Sequence, residues 1–203
     1  ANMWTNPGEM PNDGIDNDGN GFVDDFFGYD FRYDDSEPMD PIDLSLTVTG
    51  GNPGHGTHVA GTIGAVGNNS SGVTGVMQTT KLMALKAGGV DAGLSTAAIA
   101  QAISYAINKG ARAINASYGR TGACSATEYA SLSAANAAGV MFIAAAGNDN
   151  SNNDSTTNFP AGHSVATTCG PALPNVISVA AITQTGAKAS FSNFGATSVQ
   201  IAA

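Results

Sequence analysis

Positive charge is scarce in this chain. Seven lysines and arginines stand against sixteen aspartates and glutamates, a formal net charge of −9. A phosphate backbone is gripped through clustered Lys and Arg, so a nucleic-acid partner is excluded, and docking on anionic lipid with it. Long apolar runs are missing too: none approaches the roughly 18 residues of a membrane-spanning helix. No secretory leader is visible, and Ala1-Asn2-Met3-Trp4 reads as the interior of a gene. Cysteine is limited to Cys124 and Cys169, compatible with one disulfide or with two free thiols. Charged residues of either sign make up only 11%, whereas glycine takes 26 of 203 positions, which favours close backbone packing and many loops. The small, polar, lysine-poor composition reads as extracellular. The length suits one domain with a substantial core.

Residues 1–53 carry little periodicity and many turn formers. Within them Asp16-Asn17-Asp18-Gly19-Asn20-Gly21-Phe22-Val23-Asp24-Asp25 alternates oxygen side chains with permissive residues. Asp16, Asp18 and Asn20 occupy the first, third and fifth positions of a D-x-D-x-N-G loop. The glycine at the sixth allows the sharp turn, and the Phe22 carbonyl is the next ligand. Asp24 or Asp25 closes the shell, with Asp13 as an outer ligand. Position twelve is Phe27, so this is not a full EF-hand. Carboxylates this close repel one another without a cation, which makes calcium the expected occupant over a merely solvated acidic loop.

Beyond residue 53 short apolar strands alternate with longer helical patterns. Residues 81–87, 111–116, 140–146 and 176–182 read as strands. The third is a continuous apolar run of the kind buried on both faces. Ser95 caps a helix running to about Lys109, with Ala98, Ile99, Ala102, Ile103 and Ile107 on one face and Gly110 ending it. Residues 125–138 form another. Strands separated by such helices predict an α/β fold, a mostly parallel sheet covered on both sides, with the site beyond the carboxyl ends of the strands.

The stretch Gly54-His55-Gly56-Thr57-His58-Val59-Ala60-Gly61-Thr62 concentrates two histidines and three further glycines beside a Gly- and Pro-rich loop. Small residues continue through Ile63, Gly64 and Ala65, a pattern predicting a tightly buried helix whose N-terminus meets a cleft. Each such glycine weakens a helix by about 1 kcal/mol relative to alanine, so packing or function compensates. An imidazole at that helix start suits a general base; a metal-binding or core-filling pair is the plainer alternative. After two strands, Asn115-Ala116-Ser117-Tyr118-Gly119 and Ala144-Ala145-Ala146-Gly147-Asn148 leave the sheet edge. The second presents an amide able to donate to an oxyanion, or simply to form a turn.

These strings resemble, the histidine motif almost letter for letter, those of subtilisin-like serine proteases, and the resemblance runs along nearly the whole chain. It implies a three-layer α/β fold around a mostly parallel central sheet, incomplete in this chain, so that residues 1–203 are a partial peptidase catalytic domain. It makes His55 the catalytic base, His58 a buried structural residue and Asn148 the oxyanion donor. It places Ser117, Tyr118 and Gly119 along one side of the specificity pocket, Ala145 in the opposite wall and Asn158 near the floor. Ala92, Gly93 and Leu94 resemble the segment that pairs with the substrate backbone on the other edge. With no Lys, Arg or Glu in these walls, a broad, mainly apolar preference follows, and Asp149 at the rim accommodates a basic side chain. Phe159-Pro160-Ala161 matches a family turn whose proline is usually cis.

The resemblance also implies a second calcium loop at residues 66–73, with the Asn69 side chain and the carbonyls of Val66, Ser71 and Val73 as ligands. This copy is one residue longer than the common form. The family brings the loops of Cys124 and Cys169 near one another, implying a disulfide worth about 4 kcal/mol in the chain-entropy model. His163, among Ala161, Gly162 and Ser164, reads as solvated. The expected partner is a polypeptide substrate, and the complete enzyme is expected to be a secreted monomer.

A serine protease needs a nucleophile, a base and a carboxylate to orient the base, here in the chain order Asp, His, Ser. No Asp-Thr-Gly or Asp-Ser-Gly string precedes His55, and no serine stands in a Gly-Thr-Ser-Met-Ala context. The expectation is a piece from the middle of a catalytic domain, inactive by itself. Two other readings stay open: a non-catalytic relative that binds peptides, and a calcium-binding structural module in which His55 is incidental.

Overall fold

The computed structural model describes residues 2–40, 54–89 and 93–203. The chain divides into two compact units, Ala1–Ala102 and Ile103–Ala203.

In the first unit the N-terminal segment lies extended beside Leu82. Trp4 N donates to Leu82 O, and Leu82 N to Asn2 O, both at 2.8 Å. Strand β1 (Gly28–Asp30) pairs in parallel with β2 (Ala84–Lys86), Tyr29 opposite Leu85. The second of these is shorter than the apolar stretch 81–87 suggests. Phe22, Tyr29 and Phe31 pack ring to ring beside them, with centroids 4.8–5.4 Å apart.

Helix α1 (His55–Gly64) begins at the histidine motif. The small residues predict a tightly buried helix, but of its ten residues Gly64 alone is buried, held close to Thr80 and Leu82. Asp40, which the sequence pattern does not single out, caps the helix start. Its carboxylate accepts from Gly54 N at 3.1 Å and Gly56 N at 2.7 Å, while Thr57 Oγ1 donates to its carbonyl at 2.8 Å. An acid on the otherwise unpartnered first N–H groups of a helix is favourable on both hydrogen-bond and dipole grounds.

Helix α2 (Thr96–Asn108) has the expected cap, Ser95 Oγ accepting from Ala98 N at 3.4 Å. The predicted stripe of Ala98, Ile99, Ala102 and Ile103 is buried, together with Tyr105 and Ala106. Gly110, at φ 77°, lets the chain turn out of the helix while Ala111 N reaches back to Ala106 O.

The second unit is built on a parallel four-stranded sheet. Its strands β3 (Ala113–Ala116), β5 (Met141–Ala145), β7 (Val176–Ala180) and β8 (Ile201–Ala202) lie side by side in that order. A separate ribbon pairs β4 (Arg120–Thr121) antiparallel with β6 (Asn158–Phe159). Helix α3 (Ala126–Ala137) starts on Ser125, whose Oγ accepts from Glu128 N, and packs against β5.

The central run departs from the sequence expectation. Phe142 and Ala144 are 1% exposed, whereas Met141 is 36% exposed and Ile143 and Ala145 are half-buried. Successive strand residues point to opposite faces, so the described residues of this unit cover one face of β5 and leave the other partly open. No described helix is long and apolar enough to cross a membrane.

Candidate functional site

The open face leads to a hollow of about 270 Å³ at the carboxyl ends of β3, β5 and β7. Asn115, Ser117, Ala145, Gly147, Asn148 and Ser192 line it. Three residues singled out in the sequence, Ser117, Ala145 and Asn148, thus meet at one place, where parallel sheets bind ligands. Asn148 is exposed.

The loop that carries Asn148 is fastened from behind by Asn193, a residue that no local sequence signal marks. Asn193 is fully buried. Its Oδ1 accepts from Asp149 N at 2.8 Å and Ser151 N at 3.1 Å, bracketing the turn just after Asn148. Its Nδ2 donates to Ala146 O at 3.1 Å and to Asn153 Oδ1 at 3.0 Å, and its own N–H to Gly147 O at 2.9 Å. Asn153 Nδ2 adds a second donor to Ala146 O at 2.8 Å. Gly147 has φ 115°, and a side chain there would collide with Asn193 Nδ2, so only glycine fits. Every hydrogen-bonding group of that amide is committed to one loop geometry.

Asn158 is buried, close to both Gly119 and Gly147. Its Oδ1 presses on Gly119, and its Nδ2 lies 3.1 Å from where a side chain on Gly147 would start. The Tyr118 hydroxyl pKa is raised by burial, with the Glu128 carboxylate adding and Arg120 opposing. Glu128 and His163 are both buried, and His163 Nε2 stands 3.1 Å from Glu128 Oε1. Arg120 Nη2 approaches the other carboxylate oxygen at 3.5 Å. The expectation of a solvated His163 is therefore wrong. The short helix Ala161–Ser164 turns inward, and the imidazole packs 4.7 Å from the Phe159 ring and 5.4 Å from the Tyr129 ring. A sequence of small residues around a histidine gives no sign of a carboxylate 35 residues away. The Phe159-Pro160 peptide bond is cis. Cys124 and Cys169, 45 residues apart, form a disulfide with Cα atoms 6.2 Å apart.

In the first unit His55 is the first residue of α1 and is exposed. His58 is exposed too, against the expectation of a buried structural residue: among the described residues, nothing packs on the start of the helix as Thr80 and Leu82 do on its end. Among the described residues upstream of His55, Asp30 is the aspartate that ends a strand, β1. Its buried carboxylate is committed to Lys86 Nζ at 2.6 Å and to Arg32 N at 2.8 Å. Gly93 and Leu94 are exposed, Leu94 by 48%. Ala92 lies outside the described residues.

The acidic loop folds back on itself. Asp16 accepts from Asn20 N and Gly21 N, and Asn20 Oδ1 from Phe22 N at 2.8 Å. Asp24 and Asp25 face different ways. Asp24 accepts from Asp13 N and Gly14 N, whereas the fully buried Asp25 accepts from Asn20 Nδ2 at 2.7 Å and Asn6 Nδ2 at 2.6 Å. Asn6 also donates to Asp18 at 2.9 Å. Glu9, outside the motif, joins this group. Its carboxylate comes within 4.8 Å of those of Asp16 and Asp18, and likewise of those of Asp13 and Asp24. Burial pushes the Glu9 carboxyl above the usual range; the Asn17 N–H opposes this, and Asp25 and Asp18 add to it.

At residues 66–74 the backbone alternates through left-handed conformations at Asn68, Ser70 and Gly72, curling around a hollow of about 340 Å³. Val66, Asn69, Ser71 and Val73 all line it, with Asn69 Oδ1 accepting from Ser71 N at 3.1 Å.

Residues 15–203 match the family model described as Subtilase family. The chain is 42% identical over 144 residues to a thermostable alkaline protease of Halalkalibacterium halodurans, covering 71% of this chain and 36% of that protein. It is 40% identical over 151 residues to an extracellular protease of Xanthomonas campestris pv. campestris, covering 70% and 24%. Among solved structures it resembles a protease from Pseudoalteromonas arctica, with TM-score 0.67 and 32% identity over 84% of this chain and 50% of that one. It also resembles a cold adapted subtilisin-like serine proteinase, with TM-score 0.63 and 26% identity over 87% and 54%. The chain thus spans from about a quarter to about half the length of these proteins.

Proposed function

Because the chain belongs to the subtilase family, we propose that the protein containing it is a secreted serine endopeptidase, in which these residues supply the base and one oxyanion donor. The observation that carries the reading is Asn148, exposed at the hollow beyond the carboxyl ends of the strands on a loop fastened by Asn193 and Asn153. In this reading His55 takes the proton of a serine nucleophile as it attacks the scissile carbonyl, then returns it to the leaving amine. Asn148 Nδ2 donates to the oxygen that becomes negative in the tetrahedral intermediate, an interaction that strengthens as the transition state forms. The serine and the orienting aspartate come from sequence outside residues 1–203, so the segment alone is inactive.

The substrate is an extended polypeptide, to which residues 117–119 and, separately, residues 92–94 offer main-chain hydrogen bonds. Gly119 leaves the backbone accessible, and the walls present no charged side chain, consistent with a broad apolar preference. Calcium is the expected cofactor, at the loop of residues 16–25 and, through Asn69 and neighbouring carbonyls, at residues 66–73. Secretion is supported by the Xanthomonas relative, an extracellular protease.

Replacing each residue in the whole protein tests the assignment. His55→Ala is expected to remove nearly all peptide hydrolysis. Asn148→Ala is expected to lower kcat by about a hundred- to thousandfold with KM little changed, a magnitude that comes from subtilisin itself and is carried over. A well-folded His55→Ala protein with substantial peptidase activity overturns the reading. An altered KM with normal kcat in Asn148→Ala makes that residue a ground-state contact instead.

A further inference from the structure

The geometry assigns Glu9 as a calcium ligand shared with Asp16 and Asp18, so that one ion ties the turn at residues 6–9 to the loop at residues 16–25. This rests on the reading of that loop as a calcium loop and adds to it a ligand from outside the D-x-D-x-N-G string.

Two independent observations carry it. The first is convergence: one oxygen each from Glu9, Asp16 and Asp18 lies within 4.8 Å of the others, ligand spacing for a hard divalent cation. The second is Glu9 itself. It is 5% exposed, its Oε1 accepts from Asn17 N at 3.2 Å, and its Oε2 is enclosed with no N–H or hydroxyl donor, the Asp25 carboxyl meeting Glu9 as a further acid. A buried carboxylate oxygen left without a donor, among other carboxylates, is costly unless a cation or a proton meets it.

Glu9 also neighbours Asp13 and Asp24, but Asp16 and Asp18 hold the first and third positions of the D-x-D-x-N-G string, which favours their side. There Asn6 Nδ2 spans Asp18 and Asp25 and holds their oxygens in place. An all-oxygen donor set with several carboxylates suits calcium rather than a transition metal. Asn6 N donates to Phe26 O at 2.8 Å, so the bound ion closes a structure that runs directly into β1.

The test uses the whole protein and calcium alone as probe. Calcium affinity and stoichiometry are measured by calorimetry and chelator competition for the parent, Glu9→Gln, Asp16→Asn and, as a charge-matched control at an exposed acid, Glu37→Gln. Thermal melts are run with calcium and with chelator. Glu9→Gln is expected to weaken one site by about tenfold or more, the same site that Asp16→Asn removes, with Glu37→Gln unchanged. In chelator Glu9→Gln is expected to melt at or above the parent, because a repulsive buried charge is gone, while its gain on adding calcium is smaller. If Asp16→Asn loses the site and Glu9→Gln keeps parental affinity, the Glu9 assignment is overturned and the calcium loop stands. Equal destabilisation of Glu9→Gln with and without calcium marks a purely structural glutamate and also overturns it. If the parent binds no calcium that Asp16→Asn removes, the loop reading itself falls, and the assignment with it.

Discussion

Asn193 exposes none of its surface, and both ends of its amide are spent on the turn that presents Asn148. An oxyanion donor acts through position: misplacing it by an ångström discards much of its effect while leaving substrate binding intact. Asn193 is a positioning residue in this view, and its effect has to pass through Asn148. Asn193→Ala is expected to lower kcat by about tenfold or more with KM little changed. In an Asn148→Ala background the same substitution is expected to change kcat hardly at all. The double-mutant cycle separates this from a general loss of packing, which lowers kcat by the same factor in both backgrounds.

Among the elements, the segment after β5 is anchored to the segment before β8 through one carboxylate. Asp154 accepts from Ala196 N at 2.7 Å, from Thr197 Oγ1 at 2.8 Å, from Ser198 N at 3.0 Å and from Ser198 Oγ at 2.7 Å. The hydroxyls of Ser198 and Thr197, with the backbone N–H groups beside them, hold its carboxyl far below the usual carboxylate range. A pKa lowered by folding contributes stability that is fully present above the unfolded value, about 4, and is lost as pH falls below it towards the folded value. The parent is therefore expected to melt higher than Asp154→Asn at neutral pH. The gap should close as the pH is lowered below about 4, followed by calorimetry. A gap independent of pH would show that the carboxylate's charge is not what the network uses.

For the molecule as a whole, the sheet edges matter most. Among the described residues β1 has β2 as its one partner strand, beside an isolated bridge from Asp30 to Asp35, and β3 pairs on one side only, with β5. A two-stranded pair is marginal by itself, and a strand with an open edge invites pairing with other chains. Exposed apolar side chains such as Met141 and Ile201 add to that. Residues 1–203 expressed alone are expected to give no cooperative melt and no labelling by an active-site serine probe, whereas the longer protein is labelled. A soluble monomer with a cooperative transition contradicts the first half, and labelling contradicts the second.

Local signals decided what could be read from the sequence. Period-3.6 spacing and Ser95 delimit α2, Ser125 starts α3, and apolar runs mark β5 and β7, because each depends on residues within a turn or two. The strings around His55 and Asn148 place those residues at a helix start and a strand end for the same reason. What tertiary structure alone decided lies in contacts between residues far apart in the chain. Asp40 caps α1 from 14 residues before Gly54, Glu128 meets His163 across 35 residues, and Asn193 reaches Asp149 across 44. Burial followed the same division. The alternation along β5 is written in its sequence, but which face is covered, and that His58 stays exposed while Glu9 is enclosed, depends on what folds over them. A side chain's type records its chemistry, whereas its neighbours are set by the path of the whole backbone.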